Sequence, residues 1–251
     1  MKAKGGLSYL PNMVTFTSIF LGLLAILWAP TNPYAASIAL IFAAICDLLD
    51  GMLARMIGVE SEFGVEIDSL ADFLSSGVAP AILIYYWSLN GYVVAGVDLY
   101  LFVCFAFVLG TGGRLARFNI QTDSPTEPKE KPEPGAPKKL KMFSGIPAPG
   151  GCLLLVTVVM THHELKLSFL REKYFLIPYV LVVAGLMLSN IPYRSFKSFK
   201  TKIGPIIFGS AIIGGLSVLA FGGPGGAILL SVMIWYVLTG LFGLVTGKSD
   251  A

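Results

Sequence analysis

The chain has 251 residues, of which 55% are hydrophobic and 13% charged, with a mean hydropathy of +0.76 and a formal net charge of +3. No soluble core needs that much apolar surface, so the composition excludes a soluble enzyme and fits an integral membrane protein. The expected fold is all-α: a polytopic membrane helix bundle forming a single domain over residues 1–251.

Spanning a bilayer takes about 17 to 25 apolar residues. Such stretches fall at roughly 10–28, 34–56, 65–88, 92–116, 145–162, 174–191, 204–221 and 225–246, which predicts about eight transmembrane helices. Lys2 and Lys4 precede the first stretch as they would in a signal peptide, but no small-residue cleavage site follows Trp28-Ala29-Pro30, so a retained first helix is expected. Cys46, Cys104 and Cys152 are scattered through apolar segments without metal-ligand spacing and are read as packing residues.

Alternate connections carry the basic charge. Lys2 and Lys4, Arg55, Arg114 to Lys141, Arg194 to Lys202, and Lys248 hold 15 of the 18 Lys and Arg residues, while Lys166, Arg171 and Lys173 lie on the other side. An excess of Lys and Arg marks the cytoplasmic face, so both termini are expected there. The Pro-, Lys- and Glu-rich stretch at about 121–142 is expected to be a mobile cytoplasmic loop, a solvated linker in which Lys138, Lys139 and Lys141 are candidates to touch anionic membrane lipids. His162 and His163 are placed in a solvated turn on the opposite face, and Gly222 to Gly226 in a tight turn.

Four acids stand out against this background. At ~100° per residue, Asp47, Asp50, Gly51 and Ala54 share one helix face, and Gly64, Asp68 and Asp72 share another. An unpaired Asp at the centre of a membrane helix costs on the order of 2.5 to 3.5 kcal/mol, so four approach roughly 10 to 14. Only Arg55 lies between them to offset the charge. Acids standing idle in water at the helix ends are the plain alternative, but two carboxylate faces joined by a short turn point instead to a divalent cation such as Mg²⁺, which takes oxygen ligands and leaves positions for substrate phosphate. A pair of such ions clamps the attacking and leaving oxygens of a phosphoryl displacement. Gly51 and Ala54 leave room beside the carboxylates, and Arg55 offers a planar fork to a phosphate.

The pattern Asp47-x-x-Asp50-Gly51-x-x-Ala54-Arg55, eight residues, then Gly64-x-x-x-Asp68-x-x-x-Asp72 resembles the signature of the CDP-alcohol phosphotransferases at every fixed position. The resemblance implies transfer of a substituted phosphoryl group from a nucleoside-diphospho lipid to an alcohol, with release of CMP. It further implies that Asp47, Asp50, Asp68 and Asp72 surround two divalent cations, Mg²⁺ or Mn²⁺. Gly51, Ala54, Arg55 and Gly64 then border the nucleotide, Asp68 and Asp72 are the catalytic pair, and Asp72 is the candidate general base. A homodimer is implied as well. Asn12 and Thr15 are candidates for a cytidine or metal-side contact, with ordinary helix capping as the alternative.

Leu10-Pro11-Asn12, the stretch Gly112 to Asn119 and the stretch Phe143 to Pro149 are similar to the bacterial and archaeal phosphatidylserine synthases, which implies CDP-diacylglycerol and L-serine as substrates. Arg114 and Arg117 are candidates to grip the serine carboxylate, with Asn119 and Ser144 as further polar contacts; a positive-inside anchor or a phosphate contact is the other reading of the arginines. Glycerol-3-phosphate or an inositol phosphate are the alternative acceptors, and a cation transporter is the alternative of another class. No nucleic acid partner is expected.

Overall fold

A computed structural model describes residues 10–58, 62–123, 143–189, 191–193, 213–219 and 221–245. Helix α1 (Leu10–Trp28) and α2 (Pro33–Ile57) form an antiparallel pair, joined by a turn in which Asn32 caps α2 by accepting from the Ala35 amide at 3.0 Å. The face of α1 against the bundle consists of Pro11, Thr15, Ser18, Gly22 and Ala25, all buried. Small side chains at this spacing let backbones approach closely: a Cβ on Gly22 would stand 3.3 Å from the Ser75 Cα.

The next segment is one continuous helical path with two π-helical stretches: α3 (Glu62–Asp72), a π stretch (Phe73–Val78), α4 (Ala79–Ile84) and a second π stretch (Tyr85–Leu89). The first π stretch starts immediately after Asp72, where the widened turn rotates α4 relative to the aspartate face. Helix α5 (Leu101–Asp123) runs beside α7 (Lys173–Leu188), and α6 (Ala148–Leu165) occupies the centre, with Leu155, Val156, Val159 and Met160 fully buried. A short helical run at 213–219 (α8) and α9 (Gly225–Val245) complete the described residues. Gly110 and Gly113 are what bring α5 against α7, since a Cβ on Gly110 would come within 3.1 Å of the Ala184 carbonyl oxygen.

The described residues are thus all-α apart from one small hairpin, β1 (Val93–Val94) with β2 (Val97–Asp98), and one antiparallel pair, β3 (Phe143–Ser144) with β4 (Pro192–Tyr193), whose strands are separated in sequence by α6 and α7. Among the described residues, four segments are long and apolar enough to cross a membrane: Leu10–Trp28, Pro33–Ile57, Phe63–Leu89 and Leu101–Ile120; α7 and Gly225–Leu241 are apolar but shorter. The expected helix at 92–116 begins only at Leu101. Residues Val93 to Asp98 instead form the first hairpin, whose turn has Ala95 at φ 51° and Gly96 at φ 82°, the positive pair that a two-residue turn requires. Most of the predicted span at 204–221, the loop at 124–142 with Lys138, Lys139 and Lys141, and Lys2, Lys4, Arg194 to Lys202 and Lys248 lie outside the described residues.

The two histidines also differ from expectation. They occupy the last turn of α6, half-buried, with His162 edge-on to Trp87 at 5.3 Å and His163 against Tyr34 at 5.7 Å. Apolar periodicity could not extend α6 through a His-His-Glu run, but packing against two aromatic rings does. The three cysteines are free thiols, and Cys104 and Cys152 are buried as expected of packing residues.

Glu164, next to them, accepts from the Gly226 and Ala227 amides at 3.0 and 3.2 Å and faces the Tyr34 hydroxyl at 3.3 Å. One carboxylate therefore caps the first turn of α9 and ties it to α6 and α2. Glu164→Ala is expected to cost about 1 to 3 kcal/mol, because two helix-end amides lose a charged acceptor. Thermal unfolding in detergent should show a midpoint several degrees lower, with Glu164→Gln intermediate.

Candidate metal centre

Most of the residues expected to form a site come from the same end of the bundle: the start of α1, the second half of α2, α3 through its last residue Asp72, and the second half of α5. Helix α2 stops where Gly58, at φ 68°, takes a left-handed cap and donates to the Ala54 carbonyl at 3.0 Å. Two to three helical turns back from that cap stand Asp50 and Asp47, opposite Asp68 and Asp72 on the returning α3.

Carboxylate oxygens of Asp47, Asp50 and Asp68 lie within 4.8 Å of one another. Asp72 joins them through Asp47, whose carboxylate it approaches within hydrogen-bonding reach. Two carboxylates adopt that spacing only around a shared proton or cation. One oxygen each of Asp50, Asp68 and Asp72 is buried without a hydrogen-bond partner. Buried polar atoms are almost always paired, so three orphaned oxygens at one place, on residues that offer only oxygen ligands, fit a hard divalent cation.

The remaining hydrogen bonds orient the acids. The Thr15 hydroxyl donates to Asp50 Oδ2 at 2.7 Å, although the Pro11 carbonyl is also within reach at 3.1 Å. The single hydroxyl proton favours the shorter, charge-assisted bond. Thr15 therefore ties the start of α1 to Asp50 and leaves Oδ1 as the orphan. The Ser18 hydroxyl donates to the Ala43 carbonyl at 3.1 Å, and its oxygen stands 3.5 Å from that of Ser75, which donates to the Ala71 carbonyl at 2.8 Å, so α1 packs closely on both aspartate-bearing segments. Asn119 on α5 donates to Ser69 at 3.1 Å, beside Asp68.

Arg114 projects from α5 toward Asp72, near enough to interact electrostatically with it and with Tyr236, and its Nε is buried without a partner. Arg117, one turn on, instead donates from Nη2 to the Leu188 carbonyl at 3.2 Å, closing the end of α7. Arg55 is exposed one turn beyond Gly51, whose missing side chain leaves open space: the nearest atom to an added Cβ would be Arg55 Nη2 at 3.9 Å. Ala54, Gly64 and Asn12 are half-buried at the same end of the bundle. Ser144 pairs with Pro192 in the β3–β4 ladder near the end of α7, and its side chain lies outside the described residues.

Beside Asp47 a cavity of about 280 Å³ extends between α2, α6 and α9, walled by Ile41, Ile45, Leu153, Met233 and Tyr236. A charged cluster thus adjoins an apolar slot of hydrocarbon character. Tyr236 and Ser69 are not among the residues expected from the sequence. Ser69 sits beside Asp68 in the motif and is legible as a neighbour, whereas nothing local in α9 marks Tyr236.

Comparison with known proteins identifies the family. A profile described as CDP-alcohol phosphatidyltransferase matches residues 8–190. The chain belongs to this family. It is 36% identical over 197 residues to the CDP-diacylglycerol–serine O-phosphatidyltransferase of Helicobacter pylori, covering 77% of this chain and 75% of that protein. The protein of the same name from Mycobacterium leprae is 34% identical over 236 residues, 92% of this chain and 71% of the relative. That of Methanocaldococcus jannaschii is 32% identical over 237 residues, with 94% of each chain covered.

The crowded carboxylates give a test that needs no turnover. Without divalent cations, Asp68→Asn is expected to raise the melting temperature by a few degrees, because one of the mutually repelling charges is gone. The same variant should lose most of the further rise that Mg²⁺ or Mn²⁺ gives the parent protein.

Proposed function

We propose that this chain transfers the phosphatidyl group of CDP-diacylglycerol to the hydroxyl of L-serine, giving phosphatidylserine and CMP. The observation that carries the reading is the convergence of Asp47, Asp50, Asp68 and Asp72 beside an arginine with an unpaired, buried Nε. The similarity to relatives of that name, over 77% to 94% of this chain, supports the choice of serine.

In this reading the four aspartates hold two divalent cations, Mg²⁺ or Mn²⁺. The cations, when bound, neutralise the pyrophosphate of the donor and the charge that builds on the leaving CMP. Thr15 acts on Asp50 by orienting it, while Asn12, Gly51, Ala54, Arg55 and Gly64 border the nucleotide. The bare backbone at Gly51 lets the donor approach α2 closely. An acyl chain of the donor lies in the apolar cavity beside Asp47.

The serine oxygen attacks the phosphorus that bears the diacylglycerol. A new P–O bond forms as the bond to the CMP oxygen breaks, CMP leaves with the electron pair, and Asp72 accepts the hydroxyl proton. Arg114 is the better placed of the two arginines to grip the serine carboxylate, since Arg117 already serves the end of α7. Asn119, bonded to Ser69, holds α5 against α3 near the acceptor, and Ser144 borders it from the β3–β4 side. The aspartates and both termini face the cytoplasm, in accord with the positive-inside bias, and the chain works as a homodimer of roughly eight-span subunits in the cell membrane.

Purified protein with Mg²⁺ or Mn²⁺ should release CMP from CDP-diacylglycerol only when L-serine is added. Equal release without serine, or release with glycerol-3-phosphate or an inositol phosphate alone, would contradict the acceptor. Arg114→Ala should raise KM for serine about tenfold or more and leave that for the donor little changed, as expected for loss of a bidentate carboxylate contact. Arg117→Ala should chiefly lower the melting temperature; a serine KM that rises with Arg117→Ala and not with Arg114→Ala would reverse the assignment.

A further inference from the structure

The end of the bundle away from the aspartates carries a second built feature. Among the described residues, basic side chains number three at the aspartate end (Arg55, Arg114, Arg117) and three at the far end (Lys166, Arg171, Lys173). The far group is packed into eight consecutive positions around the short 3₁₀ helix Ser168–Arg171 and the start of α7. Arg171 and Lys173 line a cavity of about 530 Å³ together with Ser88, Tyr100, His162 and Glu172. Gly150 lies beside Asp47 in the apolar cavity, and His162 is twelve residues farther along α6, roughly 18 Å at 1.5 Å per residue. The feature is therefore separate from the metal centre.

Each cation is positioned by one bond that leaves its other donors unspent. Arg171 Nε donates to the Trp87 carbonyl at 3.0 Å, which orients the guanidinium while its two terminal amino groups remain. Lys173 Nζ reaches the Asn90 carbonyl at 3.4 Å and stands 4.6 Å from the centre of the Tyr100 ring. His162 Nδ1 lies 3.0 Å from the Leu167 carbonyl, an acceptor only, so Nδ1 is the donor and the ring is fixed at the cavity wall. Of the acids at this end, Asp98 is engaged by the Gly91 and Tyr100 amides and Glu164 by the Gly226 and Ala227 amides. Only Glu172 shares the cavity lining, so Arg171, Lys173 and Glu172 sum to a charge of +1.

One face of α7 continues from the cavity toward the middle of the bundle. Tyr174 and Ile177 line the cavity and Leu181 follows at the next turn, a helical stripe on which Tyr174 is 94% and Leu181 44% exposed. An aromatic residue at the rim with aliphatic ones below it is the arrangement of a membrane–water interface.

From this geometry we infer that the cavity around Arg171 and Lys173 binds the phosphate of a phospholipid headgroup in the leaflet opposite the aspartates, with an acyl chain along Ile177 and Leu181. A monoanionic phosphodiester matches the +1 lining, inorganic phosphate carries more charge than the lining balances, and the apolar stripe suits a lipid. The site is independent of the transfer reaction.

The test is native mass spectrometry and thermal unfolding of the full chain in detergent, titrated with phosphatidylglycerol, with diacylglycerol of the same acyl chains, and with inorganic phosphate at constant ionic strength. Phosphatidylglycerol should bind and raise the melting temperature, and the other two should do neither at matched concentration. Lys173→Gln, which removes one weak protein contact, should weaken this binding about fivefold, and Arg171→Gln with Lys173→Gln tenfold or more. Arg171→Lys should restore part of the loss, and serine-dependent CMP release should remain at the parent rate in Lys173→Gln. Equal binding of diacylglycerol, an equal shift with inorganic phosphate, or unchanged lipid affinity in Lys173→Gln and in the double variant would overturn the inference.

Discussion

Mutual repulsion among carboxylates held in a hydrocarbon-surrounded bundle is the constraint on which the rest of this structure depends. Oxygens of Asp47, Asp50 and Asp68 lie within 4.8 Å of one another. At an effective dielectric constant of about 20, each ionised pair at that separation repels by about 3 kcal/mol. The bundle resists this with packing on every side of the cluster. The small-residue face of α1 locks onto α2 and the first π stretch, Thr15 fixes Asp50, and Gly112, where a Cβ would stand 3.2 Å from the Phe73 ring, lets α5 bring Arg114 up to Asp72. The scaffold supplies the cohesion, and a cation between the carboxylates converts their repulsion into attraction.

The same arrangement solves the problem of substrates that differ in polarity. The donor has a charged nucleotide and two hydrocarbon chains, while serine is soluble. A charged cluster at one end of the helices, continuous with an apolar slot beside Asp47, brings both to one place without exposing the reacting phosphorus to the middle of the bilayer. Glu164 and the aromatic contacts of His162 and His163 close the other end, so α6 and α9 are clamped far from the chemistry and remain free of charge beside it.

Much of this is legible in the sequence because intramembrane acids are costly and helical spacing is regular. The two aspartate faces follow from positions 47, 50, 68 and 72 alone, and their opposition follows from the short turn between them. What the pattern does not encode is which way a long side chain leans. Arg114 and Arg117 look equivalent at three-residue spacing, yet one turns to Asp72 and the other to the Leu188 carbonyl. Thr15 reads equally as a cytidine contact, a metal-side contact or a helix cap until α1 is docked and its hydroxyl is found on Asp50. The hairpin at Val93 to Asp98 escapes the pattern because its valines have the hydropathy of a membrane helix, and only the positive φ at Ala95 and Gly96 separates the two. Edge-on and tilted ring contacts extend α6 through His162 and His163, a tertiary effect with no local signal.

The central claim is that four aspartates from two helices hold a pair of divalent cations at the reacting centre. Electron paramagnetic resonance of the purified protein titrated with Mn²⁺ tests it most directly. The account predicts two ions per chain with the exchange-coupled spectrum of a close pair, reduced to at most one uncoupled ion by Asp47→Asn or Asp68→Asn. A single uncoupled ion in the parent protein, or an unchanged coupled spectrum in both variants, would contradict it.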